Sequence, residues 1–168
     1  MMIKSLKRKT ILQIVESNPG VGFIDIQKHT GYANGVLSHH LKRLENEGHI
    51  RIKHGKRKIW IFSSIVNTDN DNLLIFFRKE TCQKILLFLL DVKIATFSQI
   101  RDAVEKSPST TSVTMKMLLG EKLIRKIYGF PLKYELEDYE KTLQVIETIK
   151  PSNVDVLKDR FADTFSYY

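Results

Sequence analysis

The residues best equipped for chemistry in this 168-residue chain are basic ones, and they are unevenly placed. Residues 1–62 hold 12 Lys and Arg against four Asp and Glu, an excess of +8, while residues 63–168 hold 15 of each and balance. All five histidines (His29, His39, His40, His49 and His54) lie in that first third. A generally basic protein spreads its charge, whereas a polyanion-binding protein concentrates it. Two clusters carry most of the candidate contacts. In one, Ser38, His39, Lys42 and Arg43 are interleaved with Leu37, Leu41 and Leu44. In the other, Lys53-His54-Gly55-Lys56-Arg57-Lys58 is a basic run broken by one glycine. Hydroxyl and imidazole groups hydrogen-bond base edges or phosphate oxygens, and ammonium and guanidinium groups pair with phosphates.

The elements that must hold these groups follow from apolar spacing. Leu37, Leu41 and Leu44 recur at steps of four and three, which places them on one face of a helix and the polar cluster on the others. Asn34 is expected to cap that helix through its side-chain oxygen, and Gly48 to end it. From Ile50 the spacing becomes two, with Ile50 and Ile52, then Ile59 and Ile61 beside Trp60 and Phe62. These are two strands, and the basic run joins them. Upstream, Ile3–Glu16 reads as a helix, Ser17-Asn18-Pro19-Gly20 as a breaker and Phe23–Thr30 as a second helix. Gly31-Tyr32-Ala33 turns into the third.

The run Val36-Leu37-Ser38-His39-His40-Leu41-Lys42-Arg43-Leu44-Glu45-Asn46-Glu47-Gly48-His49-Ile50 resembles the recognition-helix segment of winged helix-turn-helix regulators of the ArsR and MarR type, over about residues 8–62. The resemblance implies a third helix in the major groove of double-stranded DNA. Its N-terminal half, with Asn34, Gly35, Val36, Ser38 and His39, would face base edges, and Lys42 and Arg43 would reach the backbone. Lys53, His54, Lys56, Arg57 and Lys58 would lie along phosphates or the adjacent minor groove.

A shift of 74 residues brings the chain onto itself without a gap. Ile11 falls on Ile85, Phe23 on Phe97, Ile26 on Ile100, Ser38 on Ser112, Leu44 on Leu118, Ile50-Arg51 on Ile124-Arg125, Gly55 on Gly129 and Trp60 on Tyr134. Matches at core positions, turn glycines and a strand aromatic are what a duplicated fold retains. The expected fold is therefore mainly α with small β-hairpins (α+β), two tandem winged helix-turn-helix domains plus C-terminal helices. Residues 1–65 form the DNA-reading domain, 66–72 a polar linker, 73–137 the second domain and 138–168 the C-terminal helices. Leu73–Phe77 is too apolar to sit in solvent and should begin the second domain's first helix or pack between the repeats.

The copies differ in chemistry. The second hairpin tip reads Ile127-Tyr128-Gly129-Phe130-Pro131-Leu132, and its third helix offers Ser109, Thr110, Val113 and Lys116. Repeat one should read DNA, and repeat two should pack, dimerise or contact a protein partner; the alternative is that both wings touch DNA, the second through its backbone and through Tyr128 and Lys133. Two stripes remain beyond Leu136: Tyr139, Leu143, Val145, Ile146 and Ile149, then Val154, Leu157, Phe161 and Phe165 beyond Pro151. They are the expected homodimer element.

Other classes fit less well. There is no phosphate-cradling glycine loop, nucleophile elbow or two-histidine metal helix, so no enzyme is expected. His39 and His40 diverge by about 100° on a helix, so no metal or other cofactor is expected. Asp69-Asn70-Asp71-Asn72 lacks the spacing and closing Glu of a calcium loop. Cys82 is a lone cysteine among apolar neighbours, an inert thiol in a reducing setting. No apolar run approaches the roughly 20 residues of a membrane span. The expected protein is thus a cytoplasmic, nucleoid-associated transcriptional regulator. The alternative is a tandem winged-helix subunit of a transcription or chromosome-organising complex.

Overall fold

The computed structural model describes residues 5–149. The fold is α+β, with winged-helix-like units and two small antiparallel sheets. The chain divides into two compact units between Asp71 and Asn72. In the first, α1 (Leu6–Ser17) leads through β1 (Val21–Gly22) to α2 (Phe23–Thr30), α3 (Asn34–Asn46), β2 (Ile50–His54) and β3 (Ile59–Ser63). Helix α1 ends where Asn18 Nδ2 donates to the Ile14 carbonyl, ahead of Pro19. Helices α2 and α3 are each followed by a left-handed glycine, Gly31 at φ 68° and Gly48 at φ 75°. Ile11, Val15, Ile26, Leu37, Leu41 and Leu44 meet Val21, Ile50 and Ile61 in one core.

Strand β1 is the element that apolar spacing does not reveal. It pairs antiparallel with β3, Val21 opposite Ile61 and Gly22 opposite Trp60, so the hairpin is part of a three-stranded sheet. Two residues are too few to show a period of two; only the partner strand makes them a strand.

In the second unit, α5 (Glu80–Val92), β4 (Ile94–Thr96), α6 (Phe97–Val104), α7 (Pro108–Gly120), β5 (Ile124–Ile127) and β6 (Lys133–Leu136) follow the same order, and the sheet order β4-β6-β5 mirrors β1-β3-β2. Helices α6 and α7 start and end 74 residues after α2 and α3. The caps are stronger here. Thr96 and Gln99 form a capping box on α6, and Ser107 caps α7 ahead of Pro108. Cys82 is buried in α5, and burial pushes its thiol pKa up.

Of the two expectations for Leu73–Phe77, the first does not hold: the stretch does not begin the first helix of the second unit. It belongs to a separate helix, α4 (Asp71–Phe77), and α5 starts afresh at Glu80. Residues 66–72, the expected linker, hold local structure. Thr68–Asn70 form a 3-10 turn capped by Asn67, and Asp71 is buried against Arg51. A carboxylate with a charged partner can be buried where a solvated linker residue cannot. Helix α8 (Tyr139–Thr148) buries Thr142, Val145 and Ile146 and packs on α5, with Tyr139, Leu143 and Ile149 half-buried. The second stripe, Val154 to Phe165, lies outside the described residues. Among those described, no helix is long and apolar enough to cross a membrane.

Candidate nucleic-acid interface

Helix α3 turns one face inward and the other out. Leu37, Leu41 and Leu44 are buried, whereas Asn34, Gly35, Ser38, His39, Lys42 and Arg43 are exposed, and Val36 is half-buried. At its far end Arg8 of α1 pairs with Glu47, which fixes the helix against the rest of the core. Asn34 does not cap the helix. It is the first helical residue, Ala33 stands at the cap without a side-chain bond, and Asn34 Oδ1 accepts from Gln27 Nε2 at 2.5 Å. Gln27 Nε2 also reaches the Tyr32 carbonyl at 3.3 Å. One amide thus ties α2 to the α2–α3 turn, and Asn34 positions the helix it was expected to cap.

His39 and His40 part on the helix, yet their rings stand edge to face at 5.4 Å. His39 is exposed; His40 is half-buried, and its Nδ1 is enclosed with no hydrogen-bond partner among the described residues. Burial, with His39, Lys7, Arg8 and Arg43 nearby, holds its pKa below the ordinary value of 6.5.

The hairpin pairs Ile50 with Ser63 at its base and His54 with Ile59 near its tip, and Gly55 N–H donates to the Lys58 carbonyl at 2.8 Å. Glycine relieves crowding at this turn: a Cβ there would stand 3.1 Å from the Lys58 carbonyl oxygen, so the turn would have to give by a few tenths of an ångström. His54, Lys56, Arg57 and Lys58 are exposed, with the Lys58 ammonium 5.9 Å from the centre of the Trp60 ring. Because β1 pairs with β3, the first turn of α2 lies beside this tip. Between them runs a groove of about 630 Å³, lined by Ile24, Asp25 and Lys28 on one side and by Lys56, Arg57 and Lys58 on the other, so four cations face one carboxylate.

Lys53 stands apart from the other basic hairpin residues. Its amine lies 3.9 Å from the Asp71 carboxylate, on the strand face where Arg51 binds Asp71 through two nitrogens at 2.7 and 2.6 Å and stacks over Phe62. Alternation along β2 sends Ile50 and Ile52 toward the core and Arg51 and Lys53 away from it. Lys53 is thereby engaged in the fold. Lys28, conversely, joins the basic groove although sequence spacing did not single it out; the unrecognised strand β1 is what brings α2 there.

Residues 5–70 match the HTH_HVO_0163_N family, described as an N-terminal HTH domain. No curated protein sequence matches the chain. Among solved structures, a conserved hypothetical protein from Chlorobium tepidum is 17% identical over 84% of this chain and 98% of that one, at a TM-score of 0.28. A likeness that loose carries no weight for fold or function. The N-terminal part of the chain is a helix-turn-helix domain, a fold whose usual partner is DNA.

Proposed function

We propose that the chain is a sequence-specific, double-stranded DNA-binding transcriptional regulator made of two winged helices in tandem, with residues 1–65 reading DNA, 66–72 joining and 73–137 forming the second domain. The observation that carries this reading is an exposed basic tip, Lys56-Arg57-Lys58, on a hairpin whose strand β2 packs against α3 of a helix-turn-helix domain. The repeated element order, 74 residues apart, supports the tandem plan. Helix α3 enters the major groove, where Gly35 lets the backbone approach and Ser38 and His39 meet base edges or phosphates. Lys42, Arg43 and the tip supply charge to the phosphate backbone, which sets affinity and register but not sequence choice.

Duplex binding measured against salt tests this. With about six phosphate contacts, affinity falls about a thousandfold between 50 and 200 mM salt. Changing Lys56, Arg57 and Lys58 together to Ala lowers the slope of log affinity on log salt by about 3 while leaving the fold intact. If the unaltered protein binds no duplex at all, the interaction-subunit reading replaces this one.

A further inference from the structure

The counterparts of the DNA-contacting candidates, 74 residues on, carry a different chemistry. On α7, Val113 stands where α3 has His39 and Met117 where it has Arg43. On the second hairpin, Tyr128 replaces His54, and Phe130, Pro131 and Leu132 replace Lys56, Arg57 and Lys58. These groups are not turned inward to complete a core. Val113 is 59% exposed, Met117 40%, Tyr128 84%, and Phe130 fully exposed at 107%. Val113 and Met117, four apart, share one stripe of α7, and α7 packs directly on β5, the strand that leads into the apolar tip. A single exposed apolar side chain needs no explanation, but four on neighbouring elements mark a surface that meets something.

The charges around them say what. Helix α7 carries one charged side chain, Lys116, and no carboxylate. On the hairpin, Arg125 holds Glu135 at 2.7 Å, which leaves Lys126 and Lys133 exposed with no ion-pair partner among the described residues. At the foot of the same stripe Glu121 accepts from Asn72 Nδ2 at 3.1 Å, so three exposed lysines outnumber it and the rim is net basic. A second copy would set lysines against lysines, and a DNA duplex, whose outer surface is mostly phosphate and sugar, would bury less of Phe130 and Tyr128 than an apolar helix face would. We infer that this face of the second unit docks an acidic amphipathic segment of another protein, its apolar side chains seated on Val113, Met117, Tyr128 and Phe130 and its carboxylates directed to Lys116, Lys126 and Lys133.

The test uses the full chain and two fluorescent helical peptides, each with Leu and Phe on one face. One carries Glu on its other face and its control carries Lys. Anisotropy should show binding of the Glu peptide only, weakening with salt. Phe130→Ser and Val113→Ser, both at exposed positions and each checked by circular dichroism, should lower its affinity at least tenfold. The Lys56, Arg57 and Lys58 to Ala variant should bind it unchanged. Equal binding of both peptides, or affinity untouched by Phe130→Ser and Val113→Ser, overturns the inference. So does loss of peptide binding in the Lys56, Arg57 and Lys58 variant, which would place the acid-binding surface in the first unit. Sedimentation of Phe130→Ser is the last check: a dimer that dissociates makes a second copy the occupant and overturns it as well.

Discussion

His40 sits where the outer face of α3 turns toward α1, with an enclosed ring nitrogen and cations on several sides. Its folded pKa lies below the unfolded value of 6.5, so below that pH the unfolded chain takes up the proton more readily than the folded one. Stability is therefore complete above about pH 6.5 and declines as pH falls through the interval between the two values. Urea midpoints at pH 7.5 and 5.5 should show the decline, and His40→Leu should flatten it; an unchanged pH dependence in the variant would assign the effect elsewhere. A second residue-scale comparison comes from the left-handed turn after the third helix of each unit. Gly48 occupies it in the first at φ 75°, and Lys122 occupies it in the second at φ 53°. A Cβ on Gly48 would touch nothing within 4 Å, so the cost of a side chain there is conformational and not steric crowding. Lys122→Gly should stabilise, and Gly48→Ala destabilise, by about 1 kcal/mol each in denaturant titration. The glycine was legible as a helix stop. That a lysine takes the same conformation was visible only in the backbone.

The hairpin of the first unit does two jobs on its two faces. Ile50, Ile52 and Ile61 close the core, and Arg51, Lys53 and Phe62 receive Asp71. Asp71 is 4% exposed and has Arg51 as a two-pronged partner, so Asp71→Ala leaves a partly buried guanidinium with lost bonds. It should cost about 2 kcal/mol in thermal or urea unfolding, with Asp71→Asn costing less; a neutral Asp71→Ala would mean that solvent already satisfies Arg51. The same geometry assigns the basic run of the hairpin. Lys53 belongs to the strand and its ion pair, whereas Lys56, Arg57 and Lys58 belong to the tip. Sequence spacing grouped all four lysines and arginines together because it sees order along the chain and not which face of a strand a residue occupies.

At the scale of the whole chain, a regulator that reads a palindrome needs two copies about one helical turn apart. We propose that residues 138–168 hold the dimer element. Analytical ultracentrifugation should find the full chain dimeric and a chain ending at residue 137 monomeric; a dimer that survives the truncation, or a full chain that is monomeric, sinks that proposal. Much of the architecture could be read from one sequence because it is locally encoded. Helix periodicity, the stops at Gly31 and Gly48, the hairpin strands and the 74-residue echo each depend on residues within a few turns of one another or on a comparison of such stretches. Tertiary structure decided what local patterns cannot carry. It paired Val21–Gly22 with a strand 40 residues away, set Lys28 beside the basic tip, brought Lys53 near Asp71, gave Asn34 to Gln27 and made Leu73–Phe77 part of a helix of its own. Each of these is a contact between groups distant along the chain or across a turn, whose energy exists only once the core has brought them together.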